Sequence, residues 1–229
     1  MKAMILAAGL GNRMRPLTLH TPKPLLSVGG KPLIVWHIEN LARAGITEII
    51  INTAWLAEKL HEALGDGSQF GVKISWSDEY DGLETAGGII RALPLLGEEP
   101  FLLVNGDVWT NFDFRNMLSI NLDVHLAHLV LVDNPTQHPL GDFIFKDGFA
   151  YTFEQGQEGQ ALTYSGIAIL SPNLFKDLPD GKRPLAPLLK QAMLENKVGA
   201  QKLNAAWVDV GTPERLSTLD QELLRQEIA

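Results

Sequence analysis

The sequence predicts an α/β fold with a Rossmann-like, mixed but mainly parallel sheet flanked by helices. Short continuous apolar runs, typical of strands buried on both faces, occur at residues 3–8, 48–52 and 101–104. Residues 32–44 and 55–64 instead carry apolar side chains at helical spacing. Strands that alternate with helices favour βαβ units, which join parallel strands.

Two more elements complete this first half, which we place at about residues 1–110. Residues 72–76 alternate like a strand, and a helix opens at residues 88–93. We expect that helix to end near Pro94, because proline has no amide hydrogen to donate and clashes with the preceding turn.

The pattern changes after Asp107, and it predicts a smaller mixed sheet packed on the first half, at about residues 111–229. Apolar or strand-like segments and two closing helical patterns lie at residues 124–132, 143–145, 150–153, 163–170, 184–195 and 213–226. No linker or repeat interrupts the chain, so we expect a single domain over residues 1–229.

Composition excludes several classes of protein. With 45% hydrophobic and 20% charged residues, the chain is not intrinsically disordered. No apolar run approaches the roughly 18 residues of a membrane span, so we expect no membrane partner. The absence of cysteine excludes disulfide scaffolds and thiolate metal sites, and it is compatible with the cytoplasm, where we expect the protein to act as a monomer.

The net charge of −8 argues against nucleic acid as a partner. Its distribution is uneven, because residues 1–38 hold no Asp or Glu and carry +5. The basic residues of that segment are Lys2, Arg13, Arg15, Lys23 and Lys31. An acidic protein with one basic segment binds a polyanion locally, although a solvated basic face is the alternative.

A glycine-rich loop at residues 9–16 follows the first predicted strand directly. Its glycines allow a sharp turn that brings N–H groups close to phosphate oxygens. It is not a Rossmann fingerprint, because Met14 stands where the third glycine is required. It is not a P-loop either, since the Gly-Lys pair nearest to this loop, Gly30-Lys31, is followed by Pro32. The segment is therefore a glycine-rich loop that contains an arginine and matches neither of these two motifs.

Lys23 follows this loop between Pro22 and Pro24, which restrict the backbone on both sides. Alone, the segment is typical of a surface turn with a solvated lysine. Because it lies next to the glycine loop in a segment without acidic residues, we interpret it as phosphate-binding.

Two aspartates are candidate metal ligands. Asp107 follows the strand at residues 101–104, and ligands of open α/β sheets bind at the carboxyl ends of strands. Asp209 lies between apolar neighbours and is not needed to cap the last helix, a role that Thr212 fills. A carboxylate in such a setting requires a partner, and a divalent metal is one candidate.

These motifs together resemble the signature of the sugar-1-phosphate nucleotidylyltransferases. The matching blocks occur in the family's order at residues 9–18, 22–26, 83–88, 105–107 and 209–213. The resemblance covers residues 1 to about 216 and implies a nucleotide-binding half followed by a sugar-binding half. In this family a sugar 1-phosphate attacks the α-phosphorus of a nucleoside triphosphate and releases pyrophosphate.

The resemblance also implies residue roles. Arg13 would hold the β- and γ-phosphates, Lys23 would bridge the α-phosphate and the sugar phosphate, and Asp107 and Asp209 would share one Mg²⁺. Glu79 would accept a hydrogen bond from the base, which does not separate uracil from guanine. The implied nucleotide contacts are Ala7, Ala8, Gly9, Gly11, Asn12, Arg13, Glu79, Gly82, Thr85 and Asn105. The implied sugar contacts are Asn105, Gly141, Asp142, Glu154, Tyr164 and Ser165.

Four residues depart from the family pattern: Asn12 replaces Thr or Ser, Glu84 a common glycine, Gln155 a common lysine and Tyr164 a common asparagine. The last two hint at an unusual sugar. Through its compact length and overall pattern, the resemblance implies UTP and N-acetylmuramate α-1-phosphate as substrates, in peptidoglycan recycling. Thymidylyl or uridylyl transfer to glucose 1-phosphate and guanylyl transfer to mannose 1-phosphate are alternatives. A regulatory subunit that only binds nucleotide sugars is the alternative outside enzymes.

Overall fold

A computed structural model describes residues 1–80, 82–155 and 158–228, with side chains to residue 225. The helices within this described part are α1 Leu33–Arg43, α2 Ala57–Leu64, α3 Glu84–Leu96, α4 Ala186–Leu194 and α5 Pro213–Ile228. The strands are β1 Ala3–Leu6, β2 Ser27–Val28, β3 Lys31–Pro32, β4 Glu48–Thr53, β5 Lys73–Asp78, β6 Phe101–Asn105, β7 Val108–Thr110, β8 Ala127–Val132, β9 Phe143–Lys146, β10 Phe149–Tyr151, β11 Gln160–Leu170, β12 Val198–Lys202 and β13 Trp207–Asp209.

Nine of these strands form one sheet that runs through both predicted halves, in the order β5-β4-β1-β6-β11-β8-β12-β10-β9. The first four strands pair in parallel, as the alternation of strands and helices predicts. β11 then pairs antiparallel with both β6 and β8, and β8 pairs in parallel with β12. The predicted mixed α/β fold is therefore confirmed. The smaller sheet that was predicted to pack on the first half is not separate, because strands β8 to β12 continue the main sheet.

Side chains alternate between the two faces of the sheet and build two cores. On β1, Ala3 and Ile5 enter the core beneath α1 and α2, whereas Met4 enters the core beneath α3 and α4. Ile49 and Ile51 on β4 share the first core, and Ile50 joins the second. Continuous apolar runs are therefore the expected sequence of these strands, because both faces are covered.

A short two-stranded ribbon lies beside the main sheet and joins distant parts of the chain. β13 pairs antiparallel with β7, so that Asp209 is opposite Val108. The ribbon continues one step further, since the Val210 amide donates to the Asp107 carbonyl at 3.0 Å. The segments that carry Asp107 and Asp209 are thus brought together across more than 100 residues of sequence.

Three findings differ from or extend the predictions. The helix predicted at residues 88–93 begins earlier, at Glu84, and it continues two residues past Pro94 to Leu96, which is buried. One missing hydrogen bond in the last turn is evidently offset by that burial. Phe153 does not extend a strand but begins a 3₁₀ turn that ends at Gln155. No helix in the described part of the chain is long and apolar enough to cross a membrane.

Candidate active site

A cavity of about 420 Å³ opens at the carboxyl ends of β1 and β6. These two strands mark the point where the strand order reverses, which is where ligands bind in doubly wound sheets. The described residues that line the cavity are Leu6, Ala7, Ala8, Gly9, Leu10, Gly11, Asn12, Arg13, Met14, Lys23, Pro24, Asn52, Glu79, Gly82, Leu83, Glu84, Thr85, Asn105, Gly106, Asp107, Lys182 and Gly211. All of the predicted nucleotide contacts are among them.

The glycine-rich loop turns sharply at Gly11, which has a left-handed φ of 63°. A Cβ there would lie 2.8 Å from Cγ2 of Thr18, so the loop and Thr18 pack too closely for any side chain. The Thr18 hydroxyl donates to the Gly11 carbonyl at 2.7 Å. Met14 is buried beneath a short 3₁₀ turn, while Arg13 on the same turn is exposed at the cavity.

Lys23 is almost fully buried and directs its ammonium into the same cavity. Only 8% of the residue is exposed, and its Nζ donates to Asp107 Oδ2 at 2.9 Å. A buried ammonium requires such a partner, because burial otherwise penalises the charged form. The restricted backbone between Pro22 and Pro24 begins a 3₁₀ turn at Lys23 and fixes this direction.

Asn52 and Glu79 form the opposite wall. The Asn52 side chain accepts from the Ala7 amide at 2.9 Å and donates to Glu79 Oε1 at 2.7 Å. Glu79 Oε2 accepts from the Leu83 amide at 3.0 Å. Both carboxylate oxygens of Glu79 therefore already accept a protein hydrogen bond, so its assigned role as acceptor for the base would have to share an occupied oxygen.

The loop before α3 is held by a segment from the second half of the chain. The Arg183 amide donates to the Leu83 carbonyl at 2.9 Å, and the Arg183 carbonyl accepts from two amides of α3. Lys182 thereby lines the cavity, with its Nζ 3.6 Å from Glu84 Oε1. Glu84 has a left-handed φ of 59°, which explains physically why a glycine is common at this position in the resembling family.

Asp209 lines a second cavity, of about 410 Å³. Its Oδ2 accepts from Arg215 Nη1 at 2.6 Å, while its Oδ1 accepts no hydrogen bond from the described residues. Gly211, two residues after Asp209, lines the first cavity. A Cβ at Gly211 would lie 2.5 Å from Arg215 Nη2 and 3.0 Å from Asp209 Oδ1.

The two aspartates fit a divalent metal bound mainly by oxygen. Each presents one carboxylate oxygen that is free of hydrogen bonds from the described residues, and their side chains are 43% and 26% exposed. Within that same part of the chain there is no cluster of three or more His, Asp or Glu side chains. One or two carboxylates, completed by water and substrate phosphates, are the usual protein ligands of Mg²⁺.

His37 contacts the β7–β13 ribbon through a hydrogen bond to β7. It is buried on α1, and its Nε2 lies 2.7 Å from the Val108 carbonyl, next to Asp107. A carbonyl only accepts, so Nε2 carries the proton of the neutral ring. Burial lowers the pKa of His37 to about 4, against smaller opposing contributions from the Val108 hydrogen bond and the Asp107 charge.

The structure does not bring most of the predicted sugar contacts into either cavity. Asn105 lines the first one, but Gly141, Asp142, Glu154, Tyr164 and Ser165 line neither. Asp142 accepts from the Tyr164 amide at 2.8 Å, and Ser165 donates to the Val130 carbonyl at 2.7 Å. The Tyr164 phenol is buried, which raises its pKa, and Glu154 is exposed. Their contact with a sugar stays a prediction.

Three residues that line the cavities were not predicted from the sequence: Asn52, Lys182 and Arg215. Asn52 lies near the carboxyl end of β4, and the strand-end rule that singled out Asp107 would also have found it. Lys182 belongs to a loop with no local motif, and only tertiary contacts place it at the cavity. Arg215 lies in a helix whose pattern is fully explained by packing.

The comparisons with known proteins identify the class. The family profile described as nucleotidyl transferase matches residues 2–226, so the chain belongs to that family, whose members generally use a divalent metal. The prediction of a sugar-1-phosphate nucleotidylyltransferase is thus confirmed.

Three individual proteins are similar to this chain over most of its length. The chain is 53% identical over 222 residues to a protein of Neisseria meningitidis serogroup B named N-acetylmuramate alpha-1-phosphate uridylyltransferase, covering 94% of this chain and 95% of the relative. A protein of Caulobacter vibrioides with the same name is 34% identical, over 93% and 92% of the two chains. The solved structure of HddC from Yersinia pseudotuberculosis, complexed with GMP-PN, superposes with a TM-score of 0.77 at 25% identity, over 96% and 98%.

Proposed function

We propose that this protein transfers the uridylyl group of UTP to N-acetylmuramate α-1-phosphate. The products are pyrophosphate and a UDP-sugar that serves peptidoglycan recycling. The observation that carries the reaction is the meeting of the Gly9–Arg13 loop, Lys23 and Asp107 in one cavity at the switch point of the sheet. The names of the two relatives support the particular substrates.

The reaction requires alignment and charge neutralisation rather than a general base. A phosphate oxygen of the sugar 1-phosphate forms a bond to the α-phosphorus, and the bond from that phosphorus to the pyrophosphate oxygen breaks. A phosphate monoester has a second pKa of about 6, so the nucleophile is largely dianionic at neutral pH. Two anions must therefore be held together, and fixed cations lower the barrier to their approach.

Within this proposal, Arg13 and the amides of the glycine-rich loop bind the β- and γ-phosphates. Lys23 lies deeper and binds the α-phosphate and the incoming sugar phosphate, where negative charge develops. The wall formed by Asn52 and Glu79 holds the backbone of Ala7 and Leu83 in place beside the base. Lys182 adds a cation to the rim of the same cavity.

Asp107 and Asp209 would hold Mg²⁺ through their free carboxylate oxygens. When bound, the ion would neutralise charge on the phosphates and orient them. Because Asp209 also lines the second cavity, we place the sugar ring there, beyond the phosphates. Trp207 lines that cavity with its indole held by a 2.8 Å hydrogen bond to the Ser165 carbonyl. We further propose that the enzyme acts in the cytoplasm and as a monomer.

The test is pyrophosphate release with Mg²⁺ across the four nucleoside triphosphates. The sugar 1-phosphates are those of N-acetylmuramate, N-acetylglucosamine, glucose and mannose. Turnover highest with UTP and N-acetylmuramate α-1-phosphate is the expected result. A clear preference for another pair would keep the mechanism and overturn the substrate, and inactivity with every pair would overturn the catalytic proposal.

A further inference from the structure

The second cavity has one basic side chain among its described lining residues, and that side chain is Arg215. Its Nη1 donates to Asp209, while Nε and Nη2 donate to no acceptor within the described part of the chain. The guanidinium is a planar fork whose remaining donors suit a second carboxylate. Its side chain is 25% exposed, so it is mostly fixed in place but open to the cavity.

One of the two acidic residues that line this cavity is neutralised by a different cation. Asp133 forms an ion pair with Lys202, whose Nζ lies 2.6 Å from Oδ1, and it also accepts from Gln160 at 3.2 Å. Asp209 pairs with Arg215 itself and occupies Nη1 of the guanidinium, which leaves Nε and Nη2 as its remaining donors. A negatively charged group that entered the cavity would therefore meet Arg215 as its available counter-ion.

We propose that Arg215 determines the sugar specificity by binding the carboxylate of the lactyl ether of N-acetylmuramate. This inference rests on the proposed function. N-acetylmuramate is N-acetylglucosamine with a lactic acid ether on one hydroxyl, and that acid is ionised at neutral pH. A site next to the phosphates that must accept this further anion needs a fixed cation, and Gly211 leaves the space in which the guanidinium lies.

A chemical double-mutant cycle tests the proposal. The two substrates are N-acetylmuramate α-1-phosphate and its lactamide, in which the carboxylate is replaced by a neutral amide of similar size. The two proteins are the wild type and Arg215→Gln, and kcat and KM are measured for each sugar with UTP and Mg²⁺. We expect the preference for the acid over the amide to fall about 10- to 100-fold in the variant, mainly through KM. Arg215→Lys keeps the charge but not the planar fork of donors, and it should lose less of this preference for the acid.

The outcomes separate this inference from the proposed function. Equal losses with both sugars would overturn it, because Arg215 would then act only by holding Asp209. Arg115→Gln is the matched control, since Arg115 forms an exposed ion pair with Asp113 outside both cavities, and it should leave the preference unchanged. A wild type that turns over neither sugar would overturn the proposed function and this inference with it. A wild type selective for the acid but without coupling to Arg215 would overturn the inference alone.

Discussion

Lys23 Nζ lies 2.9 Å from Asp107 Oδ2, and the two residues are 84 positions apart in the chain. The lysine side chain is 9% exposed and the aspartate side chain is 43% exposed. The surrounding protein therefore encloses the lysine side chain, whereas the carboxylate is open to the cavity. The pair therefore keeps a charged lysine at the point where the two phosphates would meet. A cation that is already in position needs little reorganisation when charge develops at the phosphorus.

Replacing Lys23 with alanine should lower kcat by about 10²- to 10³-fold, because a fixed cation aimed at the reacting phosphate is lost. Pyrophosphate release at saturating substrates measures this effect. Lys31→Ala is the control, since Lys31 belongs to the same basic segment but is paired with Glu39 outside the cavity. A Lys23→Ala enzyme with the kcat of the wild type would contradict the assigned role.

Changing Asp209 to asparagine should weaken metal binding by removing half of the charge that the two carboxylates offer. We expect the Mg²⁺ concentration for half-maximal activity to rise at least 10-fold, and Mn²⁺ binding without substrates, followed by electron paramagnetic resonance, to weaken in parallel. Asp113→Asn removes an exposed, arginine-paired aspartate and should change neither quantity. Unaltered Mn²⁺ affinity in Asp209→Asn would exclude Asp209 as a ligand.

The sequence predicted best what depends on local pattern. β1, β4 and β6 are buried on both faces, so their apolar runs identify them without tertiary information. Once those strands are placed, the strand-end rule brings the glycine-rich loop and Asp107 to one edge of the sheet. The location of the first cavity was predictable for that reason.

The features that the sequence did not predict depend on contacts between distant segments of the chain. The β7–β13 ribbon has only three residues in each strand, too few to show a period, yet it brings Asp209 beside Val108. The Glu79 carboxylate accepts hydrogen bonds from the Asn52 side chain, 27 residues away in the chain, and from the Leu83 amide. No local sequence motif predicts either bond. The assignments of Glu154 and Tyr164 came from resemblance alone, and neither residue is among the described residues that line the two cavities.

Replacing Asn52 with alanine should raise the KM for UTP more than it lowers kcat. The change removes the acceptor of the Ala7 amide and the donor to Glu79, so the wall of the nucleotide cavity loses its link between β1 and the loop before α3. A buried donor left unpaired also costs about 1–3 kcal/mol of stability. Steady-state kinetics and urea unfolding measure the two effects.

Asn40→Ala is the matched control for this change. Asn40 is also buried, and its side-chain amide donates to the Phe112 carbonyl away from the cavity. It should lower the free energy of unfolding by a similar amount without raising the KM for UTP. Equal KM increases in the two variants would show that the Asn52 effect is only a loss of stability.

Replacing Glu84 with glycine should stabilise the protein. Its φ of 59° is a left-handed conformation that costs a residue with a Cβ about 1 kcal/mol, and the exposed ion pair to Lys182 at 3.6 Å contributes little in return. We expect the free energy of unfolding to rise by about 0.5–1 kcal/mol, less than the strain itself because glycine gains freedom in the unfolded chain. Glu84→Ala keeps the Cβ and should give no such gain, and equal stability changes in the two variants would contradict the strain argument.

His37 should make the protein less stable as the pH falls from about 6.5 to 4. Burial lowers the pKa of the folded ring to about 4 from 6.5, so within this window the unfolded chain binds a proton that the folded protein does not. The shift corresponds to about 3 kcal/mol of stability, which is present above pH 6.5 and is lost as the pH falls through 4.

Urea unfolding of wild type and His37→Gln at pH 7.5 and 4.5 measures this loss of stability, since glutamine can donate to the Val108 carbonyl but does not titrate. The wild type should lose more stability than the variant, whereas the exposed change His20→Gln should leave the wild-type loss unaltered. Identical losses in wild type and His37→Gln would show that folding does not lower the pKa of this ring, and they would contradict the prediction.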